Sequence, residues 1–112
     1  EGAVPIPVVR TFVVHANAGQ TRGEHAHLSC TQVLAVLQGK VKVTVDNGTT
    51  IREFILEALN HGLVIPPGLW ATQLYLEDGS ILLVSCDRLF DEADYVRDAE
   101  QFAAMTSRES LR

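Results

Sequence analysis

The sequence predicts an all-β fold, a small barrel or jelly roll with a short C-terminal helix. Three observations carry that prediction. Polar and apolar residues alternate in short runs, most cleanly in Lys40-Val41-Lys42-Val43-Thr44-Val45-Asp46, the pattern of a half-exposed strand. Turn-forming clusters separate the runs at Gly39, Asp46-Asn47-Gly48, Pro66-Pro67-Gly68 and Glu77-Asp78-Gly79. The spacing becomes helical only after Asp91. Many short strands with regular turns in 112 residues close into a barrel or jelly roll.

Val8 to His15 is rich in β-branched and aromatic residues and reads as the first strand. The run through His25 and His27 reads as the next. Cys30 to Gln38 is mostly apolar and stops at Gly39; Lys40 to Asp46 follows. Asn47-Gly48 tolerates positive φ, so a two-residue type I′ hairpin is expected there, with Thr49 to Leu56 returning. Gly62 to Ile65 is a short strand ended by Pro66-Pro67-Gly68, and Trp70 to Leu76 and Ser80 to Cys86 are expected to pair as a second hairpin. Asp91-Glu92-Ala93-Asp94 supplies helix-start acids, and Val96 to Met105 has helical apolar spacing. The last seven residues are expected to fray.

The length fits one domain over residues 1–112, freestanding or part of a longer fused chain, since the sequence opens on Glu1 rather than Met. The net charge of −5, with Lys and Arg scattered, argues against a nucleic-acid groove or an anionic membrane surface. No apolar run approaches the roughly 20 residues of a spanning helix. Cys30 and Cys86 are isolated in apolar strands, as expected for buried reduced thiols of a cytosolic protein.

His25 and His27 are the chemical signal. In a strand, residues i and i+2 share a face, so the two imidazoles project side by side into one space. Such a pair binds a metal or moves protons. The spacing Gly19-x5-His25-x-His27-x4-Gln32-x6-Gly39 resembles the first motif of the cupin superfamily, which implies a jelly-roll barrel. Gln32 stands where that motif usually has an acid. The second motif begins with Gly62 and Pro66-Pro67-Gly68, but Ala71 and Tyr75 occupy its histidine and asparagine positions. Two imidazoles and an amide are a poor transition-metal set, so no metal and no other cofactor is expected. His15 or His61 is what remains to complete one, and His61 reads as a surface residue.

Over nearly its whole length the sequence is similar to the sugar-nucleotide 3,4-ketoisomerases, the WxcM-like cupins. The similarity runs through Arg22-Gly23-Glu24-His25-Ala26-His27, Gln32, Val43 to Gly48, Gly62 to Trp70, Ser80 to Val84, Asp91 to Asp98 and Phe102. It implies a cytoplasmic, metal-free homodimer. The substrate would be a dTDP-linked 4-keto-6-deoxyhexose and the product its 3-keto isomer, feeding deoxysugars of surface polysaccharides or glycosylated natural products. By this resemblance His25 is the main base and His27 the shuttle or acid. Two departures stand out. The family's first-strand tyrosine is absent from Phe12-Val13-Val14-His15, which leaves His15 or Tyr75 to rebuild the relay. Leu28 follows His27 where a basic residue is common.

Imidazole suits enolisation because its unperturbed pKa, about 6.5, lets it accept and donate protons near neutrality. The other candidates are substrate-binding. Arg22 would face away from His25 in an ideal strand, and from a loop its planar fork suits a phosphate. Gln32 can hydrogen-bond a sugar hydroxyl. Trp70 offers a ring to the sugar or base, or packs in the core. The competing readings are an epimerase on a similar keto sugar, a non-catalytic sugar-nucleotide binding domain, and a metal-dependent oxygenase, the last disfavoured by Ala71 and Gln32.

Overall fold

A computed structural model of the chain describes residues 4–110. Nine strands form two antiparallel sheets. The strands are β1 (Arg10–Ala16), β2 (Thr21–His27), β3 (Gln32–Gln38), β4 (Lys40–Asp46), β5 (Ile51–Glu57), β6 (Leu63–Ile65), β7 (Trp70–Tyr75), β8 (Ser80–Cys86) and β9 (Tyr95–Val96), followed by helix α1 (Ala99–Ser110). One sheet has the order β1-β8-β3-β6 and the other β5-β4-β7-β2-β9. Their inner faces enclose Leu34, Val36, Val41, Val43, Tyr75, Leu82 and Val84, each at most 3% exposed. Period-2 alternation puts every second side chain into that core, as the sequence predicts.

The expected β7–β8 hairpin does not form. β7 pairs with β4 and β2, whereas β8 pairs with β1 and β3 in the opposite sheet. Leu76 to Gly79 is a corner between sheets, and Gly39 makes the corresponding corner from β3 to β4. Ser80, fully buried, fastens both corners. Its hydroxyl donates to the Glu77 carbonyl at 2.8 Å and accepts from the Lys40 N–H at 3.3 Å. Gly39 has φ +85°, and a Cβ there would overlap Ser80 Oγ, so this corner needs glycine twice over.

The β4–β5 connection is also wider than expected. Asp46 pairs with Ile51, so four residues rather than two turn the chain. Asn47 organises them through its side chain, which accepts from the N–H groups of Thr49 and Thr50, both at 2.9 Å. Only Gly48 of the pair has positive φ. The amide side chain thus replaces the backbone geometry of a type I′ turn.

At the C-terminus, Asp91 caps a single 3-10 turn (Glu92–Asp94) rather than the helix. The chain then runs extended as β9 against β2, pairing Ala26 with Val96 and His27 with Tyr95. The helix starts after Asp98, whose carboxylate accepts from the Glu100 N–H at 2.8 Å. Val96, expected in the helix, is therefore a strand residue. The helix continues to Ser110 through most of the segment expected to fray, and the last two residues lie outside the described ones. Phe102 packs with Ala26 and Val96 and covers the outer face of β2.

Candidate active site

The sheet registers assemble one end of the sandwich from the residues upward. Across β5-β4-β7-β2, Arg52, Val45, Ala71 and His25 stand in a row. Across β1-β8-β3-β6 the facing row is Arg10, Cys86, Gln32 and Ile65. Tyr95 links the two rows, its ring against His25 and His27 and its hydroxyl bonded to Arg10. The imidazole centroids are 4.9 Å apart with rings nearly perpendicular. His27 is buried and His25 half-buried.

His27 has a partner that the sequence did not reveal. Its Nδ1–H donates to Asp94 Oδ2 at 2.8 Å. Asp94 is itself fixed by the N–H groups of Ser29 at 2.6 Å and Cys30 at 3.3 Å. Burial on its own would raise the Asp94 carboxyl, but these hydrogen bonds, led by His27, outweigh it and hold the group below its ordinary value. The carboxylate so fixes the imidazole tautomer, leaving Nε2 as the free nitrogen. Nε2 of His27 and Nδ1 of His25 are both buried without a hydrogen-bond partner. A buried polar atom left unpaired is costly, and two in one place mark a site shaped for something else to bind. Burial first, then the neighbouring His27 and Arg97, push the His25 pKa down to about 4, so its imidazole is neutral at pH 7.

Tyr95 closes the site. Its ring lies 5.0 Å from His25 and 4.3 Å from His27, and its hydroxyl accepts from the Arg10 guanidinium at 3.2 Å. Arg10 also reaches Cys86 Sγ at 3.5 Å and sits over the Phe12 and Phe90 rings. Asp94, Tyr95 and Arg10 lack a local signal, because they reach the histidines only through β9 and β1. Asp91 to Asp94 stood out in the sequence as helix-start acids and as part of the resemblance, not as partners of the histidines.

Arg22 and Gln32 lie on the inner faces of their strands, by different routes. Strand β2 carries a bulge between Gly23 and His25, with Gly23 at φ +85° and Glu24 at φ +56°. The extra residue restores the phase, so Arg22, opposite Gln73, shares the inner face with His25, opposite Ala71. The expectation that Arg22 faces away fails for this reason. Its guanidinium remains exposed and donates to the Thr21 carbonyl at 2.8 Å. Gln32 is buried, its amide donating to Cys86 Sγ at 3.5 Å.

Trp70 does not join them. It alternates with the inward Ala71 and packs outside the sheet, 5.8 Å from Phe102 beneath α1. His15 is exposed opposite Ile81 on the outer face of β1, and His61 lies exposed in a loop. Neither rebuilds the relay or completes a metal set. Tyr75 is fully buried, donates to Gln73 Oε1 at 2.6 Å, and has its pKa raised to about 12 by burial. Among the described residues, His27, Cys30 and Asp94 offer ligand atoms within 4.8 Å of one another. Two of these atoms are already bonded to each other. Burial and the adjacent Cys86 push the Cys30 thiol up to about 12, so on its own it is a neutral thiol at pH 7.

A two-sheet jelly roll with a histidine pair on the inner face of one strand is the architecture of a cupin. The comparisons narrow that class. The family described as FdtA, WxcM-like C-terminal, matches residues 1–107, and the chain belongs to it. It is 30% identical over 100 residues to the TDP-4-oxo-6-deoxy-alpha-D-glucose-3,4-oxoisomerase of Aneurinibacillus thermoaerophilus, covering 88% of this chain and 72% of that one. A 3,4-ketoisomerase from Helicobacter canadensis superposes with TM-score 0.88 at 28% identity, covering 93% of this chain and 79% of that one. A mutant of the 3,4-ketoisomerase QdtA from Thermoanaerobacterium thermosaccharolyticum, in complex with TDP-4-keto-6-deoxyglucose, superposes with TM-score 0.90 at 26% identity, covering 97% and 80%.

Proposed function

We propose that this chain is a 3,4-ketoisomerase that moves the carbonyl of a TDP-linked 4-keto-6-deoxyhexose from C4 to C3. The observation that carries the reading is the pair of unpartnered ring nitrogens, His25 Nδ1 and His27 Nε2, held on one inner face. Supporting it, the three relatives above are a 3,4-oxoisomerase and two 3,4-ketoisomerases, one of them holding a TDP-keto sugar.

The C3 proton is acidified by the C4 ketone. His25, neutral and with Nδ1 unpartnered, removes it while O4 gains a proton, giving an enediol, and then returns a proton at C4. His27, oriented by Asp94, accepts the proton that leaves O3. Arg22 offers a planar fork to the diphosphate at the rim, and Gln32 an amide to a sugar hydroxyl. The chemistry is side-chain acid–base work without a metal, because Ala71 and Gln32 stand where the fold would otherwise place ligands. The reading includes a cytoplasmic protein that pairs with a second copy. The uncharged outer face of the β1-β8-β3-β6 sheet, with Val13 and Val64 about half exposed, suits such pairing.

The test is incubation with TDP-4-keto-6-deoxyglucose in D2O, followed by NMR, with His25→Asn in parallel. A 3-keto product carrying deuterium at C4, absent with the variant, is expected. A product still ketonic at C4 but inverted at a neighbouring carbon would replace this reading with an epimerase.

A further inference from the structure

The two histidines supply acceptors, yet enolisation also needs a donor. As C3 loses its proton, negative charge develops on O4, and in this scheme both imidazoles act as proton acceptors. One phenol ring packs against both imidazoles. Tyr95 lies against His25 and His27, half-buried, and its oxygen already accepts a hydrogen bond from Arg10. A phenol that accepts from a guanidinium has its own hydrogen directed elsewhere. No acceptor for that hydrogen stands among the described residues.

Two guanidinium groups flank the phenol. Arg10 sits at the oxygen, and the Arg97 guanidinium lies 4.2 Å from the ring centroid. Arg10 is held rigidly, between the rings of Phe12 and Phe90 at 4.9 and 5.4 Å, with Nε buried and unpartnered on the same inner row as Gln32. A fixed cation at the point where charge appears needs no reorganisation during the reaction.

We infer that Tyr95 is the general acid of this site, donating its phenolic proton to O4 as His25 removes the proton from C3, with Arg10 holding the phenolate. The inference rests on the ketoisomerase reading and extends it. The protons balance. His25 takes one from C3 and returns one to C4. Tyr95 gives one to O4 while His27 takes one from O3, and solvent carries the proton from His27 back to the phenolate once product leaves. Tyr75, the other tyrosine of the chain, has no such part, since its hydroxyl is spent on Gln73 in the core.

The experiment compares wild type, Tyr95→Phe, Arg10→Lys and Tyr75→Phe on TDP-4-keto-6-deoxyglucose, using protonated and C3-deuterated sugar. A positioned acid contributes about 10²–10⁴-fold. Tyr95→Phe keeps the ring packing, so kcat should fall at least about 100-fold while KM stays within about threefold, and the C3 isotope effect on kcat should rise as proton abstraction becomes limiting. Arg10→Lys should fall between, and Tyr75→Phe should match wild type. A Tyr95→Phe enzyme with wild-type kcat, or one that loses only KM, overturns the assignment while leaving the isomerase reading intact. A wild-type protein inert towards the keto sugar removes the reaction and this role together.

Discussion

Replacing Asp94 by Asn tests whether the carboxylate behind His27 does chemical work. The side chain accepts from His27 Nδ1, Ser29 N and Cys30 N at 2.8, 2.6 and 3.3 Å. Ser29 N–H bonds one carboxylate oxygen, while Cys30 N–H and His27 Nδ1–H share the other; an amide has a single oxygen, and the short bond from the fixed Ser29 N–H holds it on that side. The amide NH2 then faces Nδ1, where two hydrogens would collide unless the imidazole changes tautomer. The new tautomer puts its hydrogen on Nε2, so the nitrogen aimed into the site stops being an acceptor. A hydrogen bond to a charged group is worth about 1.5–3 kcal/mol net, and each 1.36 kcal/mol is tenfold in rate, which gives about a 10- to 150-fold loss in kcat. KM should hold within about threefold, because no contact to substrate is removed. Initial rates of 3-keto product by NMR read both constants, and a circular-dichroism melt confirms the fold. A kcat within about threefold of wild type, on a folded variant, would refute the orienting role of Asp94.

Two further outcomes follow from the same geometry. The folded pKa of His25 is lowered from 6.5 to about 4. Its contribution to stability is therefore present above pH 6.5 and lost as pH falls towards 4. The acid limb of kcat/KM set by this group should lie near pH 4, and His25→Asn should flatten the decline of urea stability between pH 6.5 and 4; an acid limb at 6.5 would sink the idea. Gly39→Ala combines a left-handed backbone, about 1–2 kcal/mol, with an overlap onto buried Ser80 costing about 1–3 kcal/mol. The melting temperature should drop by at least about 8 °C, with the β2 site chemistry intact at low temperature; a wild-type melt would show that the corner relaxes.

What could be read from the sequence was what depends on neighbouring residues. Alternation in Lys40 to Asp46 placed Val41, Val43 and Val45 in the core, and the one-residue gap between His25 and His27 put both rings on one face. The sheet assignment of β7 and β8 was not legible, because alternation is the same for a hairpin and for a corner between sheets. The phase of Arg22 turned on one extra residue, Glu24, at positive φ. Trp70 was misplaced because two readings competed and only its outward parity beside Ala71 decides between them. Asp91 and Asp98 both cap, one a single turn and one the helix, and only the pairing of Val96 with Ala26 tells which. Asp94, Tyr95 and Arg10 meet the histidines through β9 and the β1-β8 register, contacts spanning about half the chain or more, where no local pattern reaches.

The two-residue strand β9 has a consequence for how the protein comes into being. On the ribosome the barrel strands through Cys86 leave the exit tunnel before residues 94–96, so there is a species with His25 and His27 outside and β9 not yet paired. Such a species has two bare imidazoles, one without its carboxylate and neither with its phenol. Competence therefore arrives as a late event, when a short stretch of extended chain zips onto β2 and α1 clamps over its back. A chain cut short between 87 and 93 would lack β9 and α1, and with them the carboxylate of Asp94 and the ring of Tyr95.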